Sequence, residues 1–205
     1  MLLFIATIFN VGGTIGIYFV IEQIFCVYIV LYGRLESYAK LRVYGRSEMV
    51  KIGRLICSVS VCLLTGFLGS FATRNSTTTW YAQLSRPSFT PPDWTFGVVW
   101  PVLYVMMGIS AFLIWNMGID KQQVKVALSV FSLQLILNGL WTPLFFGLHL
   151  IGLALVEIIM MWAAILLTIL TFWRVSKPAA LLLLPYILWV SFAVVLNASL
   201  FLLNR

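Results

Sequence analysis

Residues 86–108 read RPSFTPPDWTFGVVWPVLYVMMG, and the stretch changes character at Asp93. Before it, Pro87, Pro91 and Pro92 each fix a backbone angle and remove a donor, so the chain arrives as a stiff connection. After it an uncharged apolar run, 95–117, is long enough to cross a bilayer as one helix. Asp93 stands where the N-cap of that helix is expected. Within the run, Trp100 and Tyr104 are four residues apart and share a face that Met107 and Ala111 continue.

Working outward, further apolar stretches occupy 2–32, 55–73, 126–147, 151–173 and 178–203. The whole chain of 205 residues is 62% hydrophobic and 9% charged, with a mean hydropathy of +1.04. Soluble domains carry roughly a quarter charged residues, so no polar shell can enclose this chain. There is no room for a separate catalytic or DNA-binding domain. Each span must be helical to satisfy its backbone in lipid, and the short connections between the last five favour antiparallel neighbours. The expectation is an all-α integral membrane five-helix bundle, residues 49–205, with an additional transmembrane helix in an N-terminal extension, 1–48. That first span is the weakest, because it contains Gly12, Gly13, Gly16 and Glu22. Gly12 and Gly16 have the spacing of a small-residue helix contact. Met49 followed by Val50 and Lys51 offers an alternative start, so an extra helix and an upstream reading frame both stand.

If the first segment spans, the basic residues divide unevenly between the two sides. Arg34, Lys40, Arg42, Arg46, Lys51, Arg54, Lys121, Lys125, Arg174 and Lys177 fall on one, and Arg74, Arg86 and Arg205 on the other. The positive-inside rule puts the first group in the cytoplasm of a bacterial-type cytoplasmic membrane and the loop 74–94 outside. The net charge of +7 then reflects topology and contact with anionic lipid. Nucleic acid is not expected, since Glu36 and Glu48 interrupt the basic stretch and no reading module follows.

Cys26, Cys57 and Cys62 lie in apolar runs, and His149 is the single histidine, so no metal site or disulfide framework is expected. A Ser–His pair is confined to His149, and no phosphate-cradling loop occurs. Glu157 is the one acid in the last four spans; an isolated carboxylate there is functional or paired, or, lying one to two turns from the outer end, reaches water.

Aromatic residues recur inside the spans. Gln134, Asn138, Trp141 and Phe145 follow one another at steps of four, three and four, and Trp189, Ala193, Leu196 and Leu200 at the same kind of spacing, with Asn197 beside them. Amides in mid-span are costly unless they pair or line a cavity. Helix packing glued by amide hydrogen bonds is one reading. The other is an apolar pocket in which indoles stack on a flat aromatic ligand and amides orient its polar edge. Pro101, Pro143 and Pro185 are expected to bend the spans around it. The loop between the second and third spans, framed by Trp80 and Trp94, is long and stiff enough for a lid.

These motifs resemble a known family. The run 86–108, preceded by WYAQL and followed by LIW, is similar to the signature of the tryptophan-rich sensory protein and translocator protein family, the peripheral-type benzodiazepine receptors. So are QLILNGLWTPLFF at 134–146 and LPYILWVSFAVVLN at 184–197. The resemblance covers about residues 50–205. It implies a dimeric five-helix membrane bundle whose lid closes a pocket for porphyrins such as protoporphyrin IX, with no cofactor required. By position, Trp100, Tyr104, Gln134, Asn138, Trp141, Trp189, Ala193 and Leu196 correspond to the family's pocket, and Trp94 completes the expected ligand-binding set from the lid side. Leu153 stands where animal members carry a pocket Trp, and Thr90 and Asp93 where they carry lid histidines. The C-terminal VLNASLFLLNR lacks the Tyr of a cholesterol pattern, so sterol is not carried over. The functional expectation is a tetrapyrrole receptor or sensor in the membrane. The alternatives are a light-dependent porphyrin-degrading enzyme, with Trp100 and Trp189 as its photochemical residues, and a porphyrin or lipid transporter.

Overall fold

A computed structural model describes residues 45–205, leaving aside the side chains of 45–47, 74 and 75. The expected span 2–32, with Gly12, Gly16, Glu22 and Cys26, and the basic residues up to 44 lie outside the described residues. The order is α1 (Gly45–Ser76), a single turn α2 (Trp80–Gln83), α3 (Asp93–Trp115), α4 (Gln122–Thr142), α5 (Ile151–Val175), a short α6 (Lys177–Leu181) and α7 (Leu184–Leu203). A π-helical turn, Pro143–Gly147, prolongs α4. Five helical stretches are long and apolar enough to cross a membrane: Glu48–Thr73, Asp93–Trp115, Gln122–Gly147, Ile151–Val175 and Lys177–Leu203. The described chain is all-helical, and the protein is a multi-pass integral membrane protein.

Two features set how the helices sit. Gly108 lets α3 approach α1 closely, since a Cβ there would lie 2.5 Å from the Val59 Cα, the small-residue contact that membrane helices use. Gly118, with φ of +105°, takes the left-handed conformation that ends the α3 region and turns the chain toward α4. Away from the lid the bundle is solid: Phe131 stacks on Phe172 at 5.8 Å, and Ser110 Oγ donates to the Ala179 carbonyl at 2.7 Å. Outward faces carry Ile56, Leu64, Leu68, Ile136, Val156 and Leu167, as a lipid-facing surface should.

The prolines act differently from one another. Pro101 sits inside α3 and has no N–H to return to the Gly97 carbonyl. Pro143 opens the π-helical turn. Pro185 does not bend a span; it lies in the first turn of α7, where its missing donor costs nothing. The α-helix is interrupted by a turn at Leu182 and Leu183, while Lys177–Leu203 remains one membrane-crossing stretch, in line with the expected span 178–203. Asp93 is the first helical residue, with Pro92 at the N-cap and no side-chain cap bond. It still favours the helix, because a carboxylate in the first turn complements the dipole. Glu157 does not reach water: it is 4% exposed because it shares the buried stripe of α5 with Ala154, Ile158 and Met161.

Candidate functional site: an aromatic cavity beneath a lid

The lid half of the bundle is hollow. A cavity of about 670 Å³ is lined from all five spans and from the lid, within the range of small-molecule sites. α1 contributes Gly66, Gly69, Ser70 and Thr73 together with Leu63 and Phe67, whereas α3, α4 and α7 contribute Trp100, Trp141 and Trp189. Three indoles thus share the cavity with a helix whose lining is mostly glycine, serine and threonine.

A hydrogen bond fixes one of these rings, and ring contacts seat the other two. Trp141 Nε1 donates to Asn197 Oδ1 at 3.1 Å, and Asn197 Nδ2 donates to the Ile151 carbonyl at 3.1 Å. With its edge so fixed, the Trp141 ring stacks on Phe145 at 5.0 Å with planes 18° apart. Trp100 stacks on Tyr104 at 5.6 Å. Trp189 rests between Phe96 and Phe192, at 5.8 and 5.7 Å.

The base of the cavity is a polar layer. The Tyr104 hydroxyl donates to Asn138 Oδ1 at 2.7 Å, Asn138 Nδ2 donates to the Tyr186 oxygen at 3.0 Å, and the Tyr186 hydroxyl donates to Gln134 Oε1 at 3.0 Å. All the donors point the same way, from the cavity wall into the solid half. In an apolar surrounding each bond satisfies a group that would otherwise be costly to bury.

The lid is packed rather than draped. Tyr81 is buried against Phe145 and Phe146, at 6.1 and 5.5 Å. Trp80 stacks on His149 at 4.2 Å, and His149 itself takes a left-handed φ of 59°. Phe89 meets Phe192 at 6.3 Å. Asn204 brackets Ser85, accepting from its N–H at 2.9 Å and donating to its carbonyl at 3.0 Å. Burial holds the Tyr81 phenol above its ordinary range; the nearby Arg86 guanidinium draws it back and the Asp93 carboxylate adds to the rise.

Residues 58–203 match the TspO/MBR family. The chain belongs to that family. The match runs from within α1 through α7 and contains every residue that lines the cavity. The tryptophan-rich protein TspO of Chlorobaculum tepidum is 43% identical over 150 residues, covering 73% of this chain and 95% of that protein. Its namesake in Archaeoglobus fulgidus is 44% identical over 156 residues, 76% of this chain and 99% of that protein. The translocator protein of Bos taurus is 40% identical over 135 residues, 65% of this chain and 80% of that protein.

Of the residues expected to bind ligand in this TspO/MBR chain, Trp100, Tyr104, Asn138, Trp141, Trp189, Ala193 and Leu196 line one cavity. Two do not. Gln134 is 1% exposed and lies beyond the polar layer, where it accepts from Tyr186. Trp94 is 60% exposed, because the first turn of α3 turns it away from the bundle. Leu153, at the position of an animal pocket Trp, is also exposed on α5. Conversely, Tyr81, Asp93, Phe96 and the α1 wall line the cavity but were absent from the expected set. The α1 wall had a signal in sequence: Gly66, Ser70 and Thr73 repeat at steps of four and three.

Proposed function

We propose that the protein is a membrane receptor or sensor that binds tetrapyrroles of the protoporphyrin IX type in this cavity. The observation that carries the proposal is the arrangement of Trp100, Trp141 and Trp189 around a space of about 670 Å³. Indole faces stack on a flat macrocycle, and Asn138 and Asn197 offer polar edges to it. Membership of a family whose relatives include tryptophan-rich TspO proteins supports the same reading. Signalling requires a ligand that binds the open and closed lid with different affinity; the packed Tyr81 and the Asn204 bracket supply a closed state to be favoured.

Titration of the purified protein in detergent with protoporphyrin IX, followed by tryptophan fluorescence, tests this. Saturable quenching that is lost in Trp141→Ala or Trp189→Ala is expected. Quenching that never saturates sinks the reading. A second reading, light-driven porphyrin degradation, draws on the two indoles of Trp100 and Trp189 at the cavity wall, with dioxygen as oxidant. Illumination separates the two: porphyrin absorbance lost no faster than in free detergent solution, or as fast in Trp100→Phe with Trp189→Phe, excludes it. The proposed unit is a homodimer in a bacterial-type cytoplasmic membrane with the lid outside. Cross-linking in native membranes and protease access to 85–92 from either side test these two points.

A further inference from the structure

The lining of the cavity is neutral except at one place. Among the described residues Asp93 is the single charged side chain in its wall, and it stands at the lid end. Its partner is Arg86, whose Nη1 lies 3.5 Å from Asp93 Oδ1. The Arg86 guanidinium also sits over the Tyr81 ring, 4.9 Å from its centroid, and Tyr81 is itself part of the cavity wall. The basic and acidic groups at the mouth therefore share one aromatic platform. Their ion pair is long, and the Asp93 side chain is 65% exposed, so the contact is weak and easily exchanged.

This arrangement bears on any ligand that carries acid groups. An ionised carboxylate cannot enter the neutral interior without a partner, so it must remain at the mouth. There it meets an Asp93 carboxylate that repels it and an Arg86 guanidinium whose planar fork matches it. We propose that Arg86 and Asp93 form a charge-selecting mouth, in which Arg86 receives a carboxylate of the ligand and Asp93 competes for the same guanidinium. The inference rests on the tetrapyrrole reading and names the part of the ligand that the mouth reads. Cation–π contact with Tyr81 keeps the guanidinium over the mouth while it changes partner. Asp93, once released, stays stabilised by the first turn of α3. Arg86 sets specificity for acid over ester, and Asp93 limits it.

The test compares protoporphyrin IX with its dimethyl ester, titrated into the full chain in an uncharged detergent. Both porphyrins are expected to saturate. Arg86→Gln should weaken the acid about tenfold relative to the ester, and Arg86→Lys should keep part of the preference because it keeps the charge. Asp93→Asn should tighten the acid several-fold relative to the ester. Raising the salt concentration should weaken the acid and not the ester. Ester and acid shifting together in Arg86→Gln, or an unchanged acid in Asp93→Asn, overturns the charge-selecting mouth while the cavity reading stands. If neither porphyrin saturates, the tetrapyrrole reading falls and this inference with it.

Discussion

The two halves of the bundle are built from the same five helices and differ in how they fill space. In the half away from the lid, Ile114, Val124, Ala127, Ile165, Phe172, Ala179 and Ala180 are buried and in contact. In the lid half three indoles line an open space, with Trp141 held at its edge by Asn197, and the α1 wall includes Gly66, Gly69, Ser70 and Thr73. Aliphatic side chains adjust to one another and close gaps. A ring anchored by a hydrogen bond cannot, so the space beside Trp141 stays open. The Tyr104–Asn138–Tyr186–Gln134 layer divides the halves. The closely packed core lies on one side of it and the cavity proposed for recognition on the other.

The sharpest way to break this contrast is a pair of truncations. Phe172→Ala in the solid half should cost about 3–5 kcal/mol of stability, read by thermal unfolding in detergent, with porphyrin affinity of the folded fraction unchanged. Trp141→Ala should show the reverse balance, a smaller stability loss and a larger affinity loss, because its ring already borders empty space. Equal stability losses would mean that the halves are not energetically distinct.

Asn138→Leu attacks the partition itself. It leaves the Tyr104 and Tyr186 hydroxyls without their shared partner, at a cost of about 1–2 kcal/mol. Hydrogen exchange should then rise on both sides of the layer; a rise confined to the lid half would show that the layer does not join them.

Gly66→Ala sharpens the contrast from the cavity side. A Cβ there would overlap the Tyr104 ring, and both residues line the cavity, so the shift of the ring reshapes its wall. We expect protoporphyrin IX to bind roughly tenfold more weakly, about 1.4 kcal/mol, with a stability loss of about 1–2 kcal/mol as the displaced Tyr104 hydroxyl leaves Asn138. Unchanged affinity would place the ligand away from Tyr104.

The smallest effect concerns the lid. Because burial raises the Tyr81 phenol, its neutral form is the one that packs. Its contribution is complete below about pH 10, the ordinary tyrosine value, and is lost as pH passes the higher folded value. Limited proteolysis of 80–92 should accelerate only in that alkaline range, and Tyr81→Phe should abolish the acceleration.

Spacing in the sequence located much of the site because helical phase is strict. Trp100, Tyr104, Asn138, Trp141 and Trp189 could be assigned to faces before any packing was known. Phase gives direction but not depth, which is why Gln134, one turn from Asn138 on the same face, proved to lie beyond the cavity. It also explains Trp94 and Asp93. Trp94 precedes Trp100 by six residues, roughly 120° around the helix, whereas Asp93 precedes it by seven and returns within about 20°. Trp94 stands in the expected set by its place at the lid, against its phase. The lid contacts were not legible, since the pairing of Ser85 with Asn204 joins segments that no local pattern connects. Glu157 follows the same rule: its distance from the span end is readable in the sequence, but the helices that cover it are not.

The π-helical turn at Pro143–Gly147 works as a phase shifter. Leu148 N–H reaches back five residues to the Pro143 carbonyl at 2.9 Å, so this turn holds one residue more than an α-turn. One residue is worth about 100° of rotation. That rotation helps Phe145, Phe146 and His149 meet Tyr81 and Trp80. Deleting a single residue here could restore an ordinary helix and still unlock the lid, so the length of this turn, more than its composition, sets the timing between span and cover.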